Sequence, residues 1–207
     1  MPTLPFHILR ITISIILSIC VAGCGNKNST VNIPTELITE GDIAFRRGNS
    51  LVSQAVLYGD ADGKYSHVGI VVNIDGKWHI VHAVPGEHEY EGDIDRVRIV
   101  SLDDFFSPQN AERGAIMRLP LSTEDAIKIS NNAIRLADSH IPFDHNYRLD
   151  DRSKLYCTEL IQILFLSVGK DLSQGRTTQM NIPGINGEFL MPSDIYLNPS
   201  LQTIFIF

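Results

Sequence analysis

The chain has 207 residues, 43% of them apolar and 20% charged, the make-up of one ordinary globular domain, which excludes a disordered or fibrous chain. Its 24 acidic residues outnumber 17 Lys and Arg, for a formal net charge of -7, and basic clusters such as Arg46-Arg47 are short and lack interleaved aromatics. Nucleic acid is therefore not an expected partner.

The first segment in chain order is not expected to belong to the fold. Ile11 to Ala22 is an apolar run too short to span a bilayer but of the size of a signal-peptide core. It leads into Val21-Ala22-Gly23-Cys24, which resembles the lipobox of bacterial lipoproteins. That resemblance implies a signal peptide over 1–23, a lipid on Cys24 and attachment to a membrane of the bacterial cell envelope. Gly25 stands where Asp would otherwise be, and resemblance to enterobacterial sorting rules then favours the outer membrane. Residues 24–35, rich in Asn, Ser and Thr, read as a flexible tether, and 36–207 as one folded unit. Cys20 would be removed and Cys24 blocked, so Cys157 is the one free thiol left and no intramolecular disulfide is expected. A lone thiol in an exported protein is either buried and inert or kept for its chemistry.

Along the folded unit, Gly41-Asp42 predicts a turn into a short strand at Ile43-Ala44-Phe45. Ser50 to Tyr58 predicts a helix whose Leu51, Val52, Ala55 and Val56 form an apolar face. His67 to Ile74 and Lys77 to Val84 are two strands joined by the hairpin signal Asp75-Gly76. A further strand is expected from Gly114 to Leu119. Ser122 with Asp125 opens a helix to about Asp138, and His140 to Ser153 is a polar loop. From Lys154 to Val168 the apolar residues Cys157, Leu160, Ile161, Leu164 and Val168 share one helical face, with the cysteine in the first turn. The tail around Pro183, Gly184, Gly187 and Pro192 reads as loop, and Leu201 to Phe207 as a last strand. Strands and helices mix without regular alternation, which predicts an α+β fold.

The hairpin yields a geometric expectation. A two-residue turn at Asp75-Gly76 pairs His67 with Val84 and Gly69 with His82, so the two histidines share one face on a diagonal of roughly 7 to 8 Å. Gly69 leaves room there for another element to approach. A cysteine in a helix's first turn feels the partial positive charge of free N–H groups, which favours the thiolate; the sulfur is thus expected to label fast with iodoacetamide at neutral pH.

The segments Gly41-Asp42-Ile43-Ala44-Phe45, Ser66-His67-Val68-Gly69-Ile70-Val71 and Tyr156-Cys157-Thr158-Glu159-Leu160 resemble those of the YiiX/YebB-like, permuted NlpC/P60 (papain-like) cysteine hydrolases, in which the histidine strand precedes the cysteine helix. The likeness extends through Lys77 to Val84 and the Phe143-Asp144 loop. It implies a circularly permuted papain-like fold, an antiparallel sheet or small barrel packed against the cysteine helix. It also implies a thiol hydrolase with Cys157 as nucleophile, His67 as base and His82 orienting it, where many YiiX-like members have a carboxylate. Tyr156 joins the backbone N–H groups as an oxyanion or substrate-binding candidate. Glu159 matches the motif too, with a structural hydrogen bond or salt bridge as its favoured reading. The implied substrate is an amide, peptide or isopeptide, of a peptidoglycan-derived molecule, with an acyl-lipid as the alternative. No cofactor is called for. A zinc site built on the two histidines and the thiol is a rival, although HExxH and CxxC spacings are lacking. So is a catalytically silent lipoprotein that binds peptides. Oligomeric state stays open.

Overall fold

The computed structural model describes residues 31–182 and 185–207; the segment expected as a signal peptide, Cys24 and the first part of the expected tether lie outside the described residues. Strand β1 (Ile43–Arg47) leads to helix α1 (Leu51–Gly59), the hairpin β2 (His67–Ile74) and β3 (Lys77–Val84), then β4 (Arg96–Ser101) and the short α2 (Leu102–Phe105). There follow β5 (Arg113–Arg118), α3 (Thr123–Asp138), α4 (Cys157–Leu166), a separate hairpin of β6 (Thr178–Ile182) and β7 (Ile185–Phe189), α5 (Pro192–Tyr196) and β8 (Gln202–Ile206).

Six strands form one antiparallel sheet in the order β4-β3-β2-β1-β5-β8. Both of its faces are covered. Val68, Ile70, Val72, Val81 and Ala83 turn towards the core that includes Ile129 and Ala133 of α3 and Leu160, Ile161 and Leu164 of α4. Ala44, Val71, Ile80 and Ile116 turn the other way, onto Phe105 and Phe106. Burial on both sides is why β2 reads as a nearly unbroken apolar run instead of alternating. The expected α+β sheet-and-helix architecture is thus present, with the sheet open between edge strands β4 and β8.

Several details differ from expectation. Ile33 is buried against the Phe105 face and Val31 packs beside it, so packing begins before residue 36. Helix α4 starts at Cys157, three residues later than its apolar spacing suggested, because Tyr156 is extended and serves as N-cap. Helix α1 forms under its Ser50 cap but has no buried residue, leaving its apolar face outside the core. Strand β4, helices α2 and α5 and the β6–β7 hairpin were not anticipated.

Candidate active site

The histidines are set by the hairpin. Asp75 and Gly76 both have positive φ (50° and 77°), the twist that a two-residue turn needs, and Gly76 N–H donates to Asn73 Oδ1 at 3.0 Å. The register that follows, from Ile74 opposite Lys77 to Ile70 opposite Val81, is the one expected. It brings the His67 and His82 rings together edge to face, with Nε2 of His67 2.8 Å from Nδ1 of His82. Both rings pack on Phe105, at centroid distances of 5.9 and 5.3 Å. At Gly69 the approaching element is β3 itself: a Cβ there would meet Ile80 Cγ2 at 2.4 Å and His82 Cβ at 3.2 Å. The glycine is what lets the two histidine strands close on each other.

Charged groups surround the pair. Arg46 stands opposite His67 across the β1–β2 ladder, lies over the Phe105 ring at 4.6 Å and donates to Phe105 O at 3.1 Å. Its guanidinium also pairs with Glu87. The second carboxylate oxygen of Glu87 is 3.9 Å from His82 Nε2, a nitrogen with no hydrogen-bond partner. Arg98, opposite His82 on β4, is held by Glu89 at 2.7 Å. Burial first, then the Arg46 charge, hold His67 well below the usual histidine range; burial, then His67, Arg46 and Arg98, do the same for His82. Both rings are therefore neutral at neutral pH. A carboxylate beyond His82 Nε2 favours the proton on that nitrogen, leaving Nδ1 to accept from His67 Nε2–H. His67 Nδ1 then carries the free lone pair.

The linkage has a sign. An unfolded chain takes up protons on these histidines near pH 6.5 while the folded one does not, so stability present above that pH falls as it is lowered, by about 1.4 kcal/mol per pH unit per histidine. Denaturant midpoints should drop between about pH 7 and about pH 5.5. A His67→Gln/His82→Gln variant should lose much of that slope, and an unchanged slope would mean the rings are not buried in the neutral form.

Cys157 begins α4, which packs on the sheet face opposite the histidines, and its half-buried side chain reaches the end of β2. There the backbone N–H groups of Val68, next to His67, and of Thr158 and Cys157 lie near enough to the sulfur to favour its ionised form. The N–H of Val68 is free to do this because the β2–β3 ladder ends at Ile70–Val81. Among the described residues no direct hydrogen bond joins the sulfur to His67. Burial pushes the thiol up to about 11, outweighing the amides and the more distant Arg46 charge. The expectation of a thiolate favoured by the helix start therefore does not hold in the resting site: desolvation is the larger effect, and thiol and imidazole are both neutral.

Tyr156 lines the cavity that reaches Cys157, whereas Glu159 does not. The Tyr156 hydroxyl accepts from Leu190 N–H at 3.1 Å, tying the helix start to the segment after β7, and burial raises its pKa. Glu159 is buried, its Oε2 has no hydrogen-bond partner among the described residues, and its carboxyl is pushed up to about 7 by burial and by Asp144; it does not line the cleft around Cys157. Arg46 and Glu87 were missed. Arg46 is identified only by the β1–β2 register, whereas Glu87, five residues past His82 behind Pro85-Gly86, could have been suspected from its place after a turn.

A family model described as "Permuted papain-like amidase enzyme, YaeF/YiiX, C92 family" matches residues 37–205. Among solved structures, the chain is similar to one titled as metalloprotein yiiX from Escherichia coli O157:H7, with a TM-score of 0.66 and 19% identity over 81% of this chain and 96% of that one. No curated protein matches. The word metalloprotein belongs to that neighbour. Among the described residues of this chain, no three His, Cys, Asp or Glu side chains gather as metal ligands, and His67 Nε2 and His82 Nδ1 are turned on each other.

Proposed function

The chain belongs to the permuted papain-like amidase family, a family of cysteine peptidases, and on that premise we propose that Cys157, His67 and His82 are its catalytic triad, cleaving an amide through an acyl-enzyme. The observation that carries this reading is the 2.8 Å contact between His67 Nε2 and His82 Nδ1. With one nitrogen so engaged, Nδ1 is the nitrogen His67 has left to act as base, and the backbone of Val68 beside it lies near the sulfur.

In the first half-reaction the substrate carbon accepts Sγ as the thiol proton passes to His67 Nδ1, and the oxyanion is met by N–H groups at the start of α4. The imidazolium so formed donates through Nε2–H to His82, behind which Glu87 supplies the negative charge that offsets Arg46. His67 next gives its proton to the leaving nitrogen, the C–N bond breaks, and the acyl group stays on sulfur. Water then attacks the thioester, its proton passing to His67 and back to Sγ as the acid departs. Wild-type protein mixed with an activated thioester and acid-quenched should carry an acyl adduct on Cys157 that intact-mass measurement detects, absent in Cys157→Ala. An adduct on any other residue would sink the assignment.

The lipobox supports an envelope location, anchored through Cys24 and with the outer membrane favoured. Palmitate incorporation in the native host that disappears in Cys24→Ala would check it; labelling that persists would refute it. Of the two substrate classes expected, a peptidoglycan-derived peptide would bring polar and charged groups to both sides of the scissile bond. An acyl-lipid would bring an apolar chain to one.

A further inference from the structure

We propose that helix α1 is the face by which the domain lies against its own membrane, the uncharged outer surface of the helix entering the headgroup boundary of the bilayer. This goes beyond the amide chemistry and rests on the lipid anchor proposed for Cys24.

Among the described residues nothing covers this helix. None of the nine residues from Leu51 to Gly59 is buried. Leu51 and Tyr58 are 89% and 81% exposed, and Val52 is 47% exposed. Leu51, Ala55 and Tyr58 stand at i, i+4 and i+7 and so share the outward stripe. Single apolar side chains in water are ordinary; three large ones on one short helix mark a contact surface.

Charge decides what that contact is. The chain carries a formal net charge of -7, which anionic headgroups repel. Between Asp42 and Asp60 there is no Asp or Glu, and α1 itself has no charge of either sign. This stretch is therefore one that can approach such a surface without desolvating a carboxylate. At nine residues, or about 14 Å, the helix is too short to cross a bilayer but can lie in the plane of its interface.

The anchor supplies the distance and the side. Val31, with Ile33, packs on the face that holds Phe106, and Cys24 lies seven residues before Val31, at most about 25 Å of fully extended chain. The bilayer is thus confined close to the surface where Val31 joins the domain. That surface adjoins α1. Gln109 lines both the hollow at Val31 and Ile33 and the one bounded by Ser50 and Val52, and a Cβ on Gly48, just ahead of the helix, would meet Asn110 O at 3.5 Å. Helix α3 packs on the other face of the sheet, through Ile129 and Ala133. A second copy would have to find α1 by collision, whereas the chain itself holds the bilayer beside it.

The test uses the mature lipidated protein, purified from membranes and reconstituted into phosphatidylcholine–phosphatidylglycerol vesicles with brominated acyl chains. Trp78, the sole tryptophan, is replaced by Phe, and one reporter is introduced by Tyr58→Trp or, on the far face, by Ile127→Trp, both exposed positions. Brominated lipid should quench the emission of the Tyr58→Trp protein several-fold more than that of the Ile127→Trp protein. Adding Leu51→Glu removes an apolar side chain from the contact, which lowers the docked-to-free ratio on the order of ten-fold, and should bring the first signal down to the second. Protein that floats with the vesicles while both reporters stay unquenched, or are quenched alike, would overturn the docking and leave the anchor standing. Unquenched reporters together with self-association in detergent that Leu51→Glu abolishes would overturn it in favour of a second copy on α1. Protein that neither floats nor carries acyl mass would overturn the anchor and the docking together.

Discussion

Amide cleavage by the Cys157→Ala variant is expected at background, and His67→Ala should cost about three to four orders of magnitude in kcat/KM. The double variant should be no slower than Cys157→Ala alone, since a base without its nucleophile has no proton to take; the two effects belong to one unit and do not add. His82→Ala removes the acceptor that holds His67 Nε2–H and should cost about a hundred-fold. Glu87→Gln keeps the shape but removes the charge behind His82, which stands 3.9 Å from its Nε2. Because Glu87 acts through His82 it is a positioning residue. Its loss should lower kcat with KM retained and shift the acid limb of the kcat–pH profile, which a merely structural defect would not produce; the unfolding midpoint should fall as well, because the buried Arg46 loses its counter-charge. A His67→Ala enzyme within a few-fold of wild type would remove the base assigned here, and with it the relay.

The residues whose positions were legible in the sequence are those fixed by local chemistry. Asp75-Gly76 sets a turn that only one register satisfies, so the meeting of His67 and His82 follows from counting along two strands. Cys157 at the start of α4 follows from the apolar spacing of Leu160, Ile161 and Leu164. What depends on distant chain segments was hidden. Strand β4 carries Arg96 and Arg98, both buried, and reads as strand only once Asp93 and Glu89 are seen to neutralise them. The β6–β7 hairpin lies where Pro183, Gly184, Gly187 and Pro192 suggested open loop, and its strands pair only with each other, so no neighbouring strand marks them in the sequence; Pro183 and Gly184 themselves lie outside the described residues. Helix α1 forms where helical spacing placed it, but that none of its residues is buried was not legible, because periodicity says where side chains point and not what covers them. The protonation state of the thiol is of the same kind, being decided by how much protein closes over the sulfur.

That last point gives the second large effect. With the thiol pushed up to about 11 by burial, alkylation of Cys157 by iodoacetamide should be slow at neutral pH and rise about ten-fold per pH unit into the alkaline range. At about pH 8 only about one sulfur in a thousand is ionised, against roughly a quarter of ordinary cysteines. His67→Ala should change this curve little, since the neutral ring forms no ion pair with the resting thiol. Amide turnover should behave otherwise. It needs a neutral His67, which both burial and Arg46 favour far below pH 6.5, and the proton moves to His67 only as the carbonyl is attacked. Turnover should therefore already be substantial at neutral pH, where alkylation is poor, and the two pH profiles should separate by several units. Alkylation that has reached its plateau by neutral pH, and that collapses in His67→Ala, would mean a preformed thiolate–imidazolium pair. The charge separation would then precede substrate, and the buried, neutral resting site described here would be wrong.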